Sequence, residues 1–280
     1  MKLHVVSAMV AAGLAGIWTA EARTMVPLVD VYEGWHLGMQ CWTLKDKTLF
    51  EAIDQTAALG LQWLDAFPDQ RISPEISDGF GPQISEPLRQ KVQEKLRQAG
   101  VRLKTFGVYS FPNEESQIRK AFEFAKAMGI ETIVSEPSPD AFGLLDRLCQ
   151  EYQVRIAVHN HPQPTRYWNP ELVYAVCQKT SPWIGACPDT GHWVRSGIEP
   201  VEWLEKLKGR ILDVHLKELE EGKDCIWGRG QNRVGAALAQ LHRQGYQGPI
   251  VLEYEHHWDE NYVPQIRQCI AFYIQEAARL

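Results

Sequence analysis

From residue 35 onward, short apolar or alternating runs are each followed by a longer stretch in which apolar positions recur every three or four residues. These are the marks of strands and of amphipathic helices, taken in turn. The pattern predicts strands over 36–42, 62–66, 101–106, 132–135, 155–159, 184–187, 211–215 and 250–254. It predicts helices over 47–59, 86–99, 114–128, 140–152, 170–179, 200–207, 234–244 and 262–278. Three of the helices run into Gly60, Gly100 and Gly129, where a left-handed residue closes the last turn, and several others carry Pro near their start. Eight strand–helix units in succession call for a parallel sheet closed on itself, a single-domain α/β protein of the (β/α)8 TIM barrel class. Irregular insertions at 68–82, 161–169 and 220–232 follow predicted strands two, five and seven, the barrel face that carries active sites, and are lid candidates.

Composition narrows the partners. The chain has 280 residues, 45% hydrophobic, with a formal net charge of −6. A nucleic-acid binder needs a basic face to neutralise phosphates, so that class is disfavoured and a small neutral substrate is favoured. Ten tryptophans point the same way, since indole stacks on the apolar faces of sugar rings. Residues 1–22 read as a secretory signal, with Lys2, an apolar run over 5–18 and the small-residue site Ala20-Glu21-Ala22, and cleavage is expected after Ala22. The run is too short for a membrane span, so the expected location is periplasmic or secreted, with no membrane partner. Cys41, Cys149, Cys177, Cys187, Cys225 and Cys269 show no CxxC spacing and several sit in apolar patterns, so buried thiols are expected rather than a disulfide framework. That expectation sits against export to an oxidising compartment.

The chemistry concentrates where apolar runs end in chelating side chains. The run 184–187 leads at once into Asp189 and His192. Over 211–217 the side chains alternate, so Asp213, His215 and Lys217 share one face and Leu212, Val214 and Leu216 the other. With the barrel assumed, Glu136 ends strand four, His159 and His161 strand five, Asp189 strand six, His215 and Lys217 strand seven, and Glu253 and Glu255 strand eight. Carboxylate oxygen and neutral imidazole nitrogen suit a divalent metal such as Mn, Zn, Co or Fe.

The segments PDTGHW around Asp189 and His192, DVHLK around His215 and PIVLEYE around Glu253 resemble the xylose isomerase-like barrel superfamily. This is the sugar isomerase/epimerase group that also includes inosose dehydratase and endonuclease IV. The resemblance covers residues 35–280 and implies one divalent metal ion, often Mn, with Zn, Co, Fe or Mg as alternatives. Carried over by position, the metal ligands would be His159, Asp189, His215 and Glu253, and His192 would touch substrate. One position departs from the family pattern: ketose epimerases have a glutamate at the end of strand five where this chain has His159. Glu136 could replace that carboxylate, as a ligand or as a base.

The reaction expected is proton transfer beside the carbonyl of a sugar through an enediolate held by the metal, as in an isomerase or epimerase. Glu136 or Glu253 would be the base, with His161 as an alternate or a substrate contact, while Lys217 and His192 would hold the developing negative oxygen. Trp42, Trp168, Trp193 and Trp227 are candidate walls for the sugar ring. The same chemistry serves a lyase or hydrolase of 3-keto-glycosides and an inosose-type dehydratase, and a carbohydrate-binding barrel without activity is the rival of another class. Endonuclease activity would need a basic groove that a charge of −6 disfavours. A homo-oligomer is compatible with all of these readings.

Overall fold

The computed structural model describes residues 34–231, 233–255 and 261–280. The expected signal segment 1–22 lies outside them, as does Asn232 of the third insertion. In chain order the main elements are β1 (Trp35–Gln40), α1 (Leu49–Ala58), β2 (Trp63–Ala66), α2 (Glu86–Ala99), β3 (Arg102–Tyr109), α3 (Glu115–Met128), β4 (Thr132–Ser135) and α4 (Phe142–Tyr152). There follow β5 (Arg155–His159), α5 (Pro170–Lys179), β6 (Ile184–Cys187), α6 (Thr190–Arg195), α7 (Pro200–Lys206), β7 (His215–Leu216), the hairpin β8 (Leu219–Glu220) and β9 (Lys223–Asp224), α8 (Val234–Arg243), β10 (Gly248–Leu252) and α9 (Val263–Ala277).

Eight parallel strands pair in the order β6-β5-β4-β3-β2-β1-β10-β7. The two ends of the sheet meet through isolated parallel bridges, Ala186 to Ile211 and Asp189 to His215, so the sheet curls into a TIM barrel with its helices outside. Helix ends are closed as the sequence pattern predicts. Gly100 and Gly129 take φ of 67° and 75°, which an L side chain resists, and each donates its N–H into the last turn of α2 and α3. At the start of α1, Thr48 and Glu51 form a reciprocal capping box.

Two apolar layers follow from the alternation of the strands. The larger one packs the helices against the outside of the sheet, with Leu64, Phe106, Ile133, Ile156, Ile184 and Leu252 among its buried members. A small separate cluster of Val134, Ala157 and Cys187 forms the floor inside the barrel. Two residues further along each of these chain segments come Glu136, His159 and Asp189. A period of two therefore carries the inward face of β4, β5 and β6 from apolar floor to chelating rim.

Two departures from the sequence pattern matter for the site. Where the alternation predicts a strand over 211–215, the ladder is broken, with a bridge at Ile211 and β7 confined to His215–Leu216. The Asp213 carboxylate accepts the N–H of Val214 at 2.8 Å and so supplies a local partner for the backbone there. The residues after β6, where the sequence pattern predicts no helix, form the short helix α6, because the Asp189 side chain accepts the N–H of His192 at 2.8 Å and caps it. All six cysteines are free thiols, five of them buried. No helix among the described residues is long and apolar enough to cross a membrane.

Candidate metal centre and active site

The strand ends bring the predicted chelators together. His159, Asp189, His215 and Glu253 are all buried, and one ligand atom from each lies within 4.8 Å of the others. Local structure explains why they meet. The Asn160 side chain brackets the backbone of Asp189, accepting its N–H at 2.9 Å and donating to its carbonyl at 3.1 Å, which joins the ends of β5 and β6. The Asp189–His215 bridge then sets β7 beside β6, and Val251 of β10 pairs with His215 on its other side.

The contacts inside the cluster are short imidazole–carboxylate approaches. His215 Nδ1 and Glu253 Oε2 stand 3.0 Å apart without hydrogen-bond alignment, and neither atom has another hydrogen-bond partner. Two buried acceptor-type atoms this close are costly unless a positive charge lies between them. His159 turns Nδ1 toward Glu136 at 3.2 Å and Nε2 toward Asp189 at 3.6 Å, so one carboxylate orients the ring while its other nitrogen faces the cluster. On this geometry the four side chains suit a divalent ion with nitrogen and oxygen ligands.

Lys217 supplies fixed positive charge from below. Its ammonium is fully buried, 2.6 Å from Asp189 Oδ2, 3.1 Å from Glu253 Oε1 and 3.2 Å from His192 Nε2. Burial disfavours its charge, but Asp189 and Glu253 outweigh that and raise its pKa, so it stays protonated. The close fit requires Gly191, since a Cβ there would come within 2.6 Å of Lys217 Cβ. Burial likewise opposes the ionised form of Glu253, but Lys217 and His215 hold its pKa down at about 2. Asp189 stays well below the usual carboxylate range in the same way, where burial is outweighed by the Lys217 ammonium and the hydrogen bond of His159.

Above the cluster opens a cavity of about 520 Å³, within the ~300–1,000 Å³ of ordinary small-molecule sites. Glu136, His159, His161, His192, His215, Glu253 and Glu255 give it one polar side, and Trp42, Phe67, Pro68 and Val108 face them as an apolar wall. Glu136 Oε1 lies 2.5 Å from His161 Nδ1. Burial raises the Glu136 pKa, but the hydrogen bonds of His159 and His161 outweigh it and bring the group down to about 2. Burial lowers His161, yet the adjacent Glu136 carboxylate more than offsets this and its pKa rises. His192 is pushed down to about 2 by burial, with Asp189 opposing and Lys217 adding to the effect. It therefore stands as a neutral ring between Lys217 and Arg195, whose Nη1 is 3.0 Å from its Nδ1.

Several sequence-predicted positions land elsewhere. Lys217, predicted to hold an oxyanion, is absent from the cavity wall, and its charge acts through Asp189 and Glu253 instead. Trp193 and Trp227 are 1% and 2% exposed and belong to the core, so neither can wall a sugar. Trp168 is half-buried and does not line the cavity. Trp42 does line it, 38% exposed, with its ring edge-to-face on Phe67 at 5.2 Å. Residues that the sequence pattern did not single out are Gln40, Phe67, Pro68, Val108 and Ser110 on the cavity wall, with Asp65 buried beneath it. Arg195 is another, tying the site to the β8–β9 hairpin through Asp224 at 2.5 Å and to Glu255 at 2.7 Å. The one signal for Asp65 was a lone carboxylate inside the apolar run Trp-Leu-Asp-Ala.

The chain is thus a (β/α)8 barrel with a buried His/Asp/His/Glu cluster at the C-terminal ends of its strands, a group that could hold a metal ion. The model of the xylose isomerase-like TIM barrel family matches residues 53–274, and the chain belongs to that family. A solved protein of Parabacteroides distasonis ATCC 8503, described as uncharacterized, is 30% identical with a TM-score of 0.71, over 86% of this chain and 98% of its own. The IOLI protein, solved with a bound zinc atom, is 17% identical with a TM-score of 0.70, over 87% and 98% of the two chains. A D-psicose 3-epimerase solved in the presence of D-fructose is 9% identical with a TM-score of 0.70, over 87% and 99%. At such identities these last two share the fold. No curated protein matches the chain.

Proposed function

We propose that the protein is a metal-dependent sugar isomerase or epimerase that moves a proton at the carbon beside a carbonyl. The observation that carries this reading is the convergence of His159, Asp189, His215 and Glu253, four buried ligand atoms within 4.8 Å at the floor of a cavity with one apolar and one acidic side. A divalent ion held there supplies Lewis-acid polarisation of a substrate oxygen. Manganese is the metal favoured by the family resemblance, and the zinc of the IOLI structure makes zinc the first alternative.

The chain's own residues divide the remaining work. Glu136 presents its carboxylate to the cavity outside the four-residue cluster and takes the proton, with His161 at 2.5 Å holding the charged form in place. Glu253 is the second carboxylate on the polar side and serves as ligand and alternate base. His192, a neutral ring with its two nitrogens facing Lys217 and Arg195, lines the polar side of the cavity and contacts the substrate. Trp42, Phe67 and Val108 exclude water from one face of the ring. A periplasmic or secreted location, from the 1–22 segment, favours free sugars or 3-keto-glycosides over phosphorylated ones, and cleavage of a 3-keto-glycoside by the same proton transfer is the second reading.

The test is turnover of free ketoses, inososes and 3-keto-glycosides by the metal-loaded protein in deuterated water. Deuterium appearing beside the carbonyl supports the reading. No turnover and no exchange with any of them, in protein that holds its metal, moves the assignment to a carbohydrate-binding barrel.

A further inference from the structure

The first half of the barrel reaches His215 through Gln40 and Asp65, and the hydrogen-bond partners there fix which ends of the side chains donate. Gln40 at the end of β1 pairs in register with Asp65 on β2. The Gln40 Oε1 atom accepts the N–H of Trp42 at 3.1 Å, and a backbone N–H can only donate, so the amide's other end, Nε2, is the donor facing Asp65 Oδ2 at 2.8 Å. The amide orientation is thus set by the chain itself. Asp65 is 0% exposed, and the same Oδ2 atom lies 2.9 Å from His215 Nε2. A carboxylate accepts, so that imidazole nitrogen carries the hydrogen. A ring that ligates a metal is neutral and has one hydrogen to place, so with Nε2–H given to Asp65 its Nδ1 is the lone pair directed at the cluster, 3.0 Å from Glu253 Oε2.

We infer that Asp65, clamped by Gln40, is the positioning residue that fixes the His215 tautomer and makes Nδ1 the atom offered to the metal. The inference rests on the metal-site reading above for its consequence, but its first half, the position of a proton, does not. Its physical logic is that of a carboxylate behind a ligating imidazole: the hydrogen bond holds the ring plane and raises the basicity of the opposite nitrogen. Asp213 approaches the same Nε2 only to 4.0 Å, beyond hydrogen-bond range, and is the natural control.

The experiment uses the full chain labelled with nitrogen-15 histidine, by NMR before and after loading with zinc, which is diamagnetic, together with zinc affinity by chelator competition. Wild-type protein should show a hydrogen on His215 Nε2 in both states and none on Nδ1 once zinc is bound. Asp65→Asn and Asp65→Ala should lower zinc affinity by about 10- to 100-fold, while Asp213→Asn stays near wild type. Gln40→Met, which keeps the carboxylate but frees it, should give a smaller loss and keeps the idea testable if the Asp65 variants do not fold. A His215 hydrogen on Nδ1 in the zinc-loaded protein, or zinc affinity in Asp65→Asn equal to wild type, overturns the inference. A wild-type chain that binds no zinc yet carries the hydrogen on Nε2 instead defeats the metal reading and leaves the Asp65 assignment standing.

Discussion

The arc of the barrel from β1 to β4 and the arc from β5 round to β10 are built on the same parallel pairing but carry opposite loads. The first arc ends in Trp42, Phe67, Pro68 and Val108, which give the cavity its apolar wall. The second contributes the whole of the His159, Asp189, His215 and Glu253 cluster, with Lys217 beneath it. The backbone does not follow the same division. Strands β4, β5 and β6 pair over consecutive residues, register shifts fall between β2 and β3 and between β3 and β4, and β6 and β7 meet only through two isolated bridges. One arc supplies the apolar wall, the other the ligand cluster, and Asp65 and Glu136 are where the first acts on the second.

The sharpest way to separate the arcs is to neutralise Glu136, the last residue on the seam between them. Glu136→Gln should cut turnover by about 10²- to 10⁴-fold with metal content unchanged, read by steady-state kinetics and elemental analysis of the same sample. Metal lost along with activity would make Glu136 a ligand and enlarge the charged arc. The next largest effect is on stability. Lys217→Met leaves Asp189 and Glu253 buried without their ammonium, and should cost about 3–5 kcal/mol in urea unfolding with chelator present. Added metal should restore part of that loss if the two cations share the same carboxylates, and an equal cost with and without metal would argue that they do not.

Two tryptophans test the division of labour on the apolar side. Trp193→Ala should cost about 3–5 kcal/mol because it empties a core position. Trp42→Ala should change stability by only about 0.5 kcal/mol and raise KM, since its exposed ring faces the cavity. The reverse ranking would move the wall to the other residue. Smallest is a scaffold effect with a pH signature. The hydrogen bonds of Thr48 hold the Glu51 pKa below its ordinary 4.5. Because the folded pKa is the lower one, Glu51 stabilises the fold above pH 4.5 and loses that contribution as pH falls toward its folded value. Glu51→Gln should cost about 1 kcal/mol or less at pH 7, and the difference from wild type should close in acid. A gap that widens in acid would contradict the capping-box assignment.

How much of this was legible in the sequence follows from what each residue's signal depends on. The strand ends at His159, Asp189 and Glu253 were legible because each follows a short apolar run, and a period of two carries direction as well as element type. His215 was legible for the same reason even though β7 itself shrinks to two residues. Depth was not legible. Alternation put Lys217 on the same face as His215, but its full burial and its contacts with Asp189 and Glu253, away from the cavity lining, are seen only in the structure. Tryptophan identity says nothing about whether a ring packs or lines, which is why Trp42 and Trp193 read alike. Asp65 was missed because β2 spans only four residues, too few for its inward period to stand out before the Pro68 loop.

The account turns on whether the second arc holds a metal. Elemental analysis of purified wild-type protein, beside Asp189→Ala and His215→Ala, addresses that most directly. The structure predicts about one divalent ion per chain in wild type and none retained in either variant, with each variant's fold checked by circular dichroism. Full metal occupancy in both folded variants, or a wild-type chain that binds no divalent ion, would contradict it.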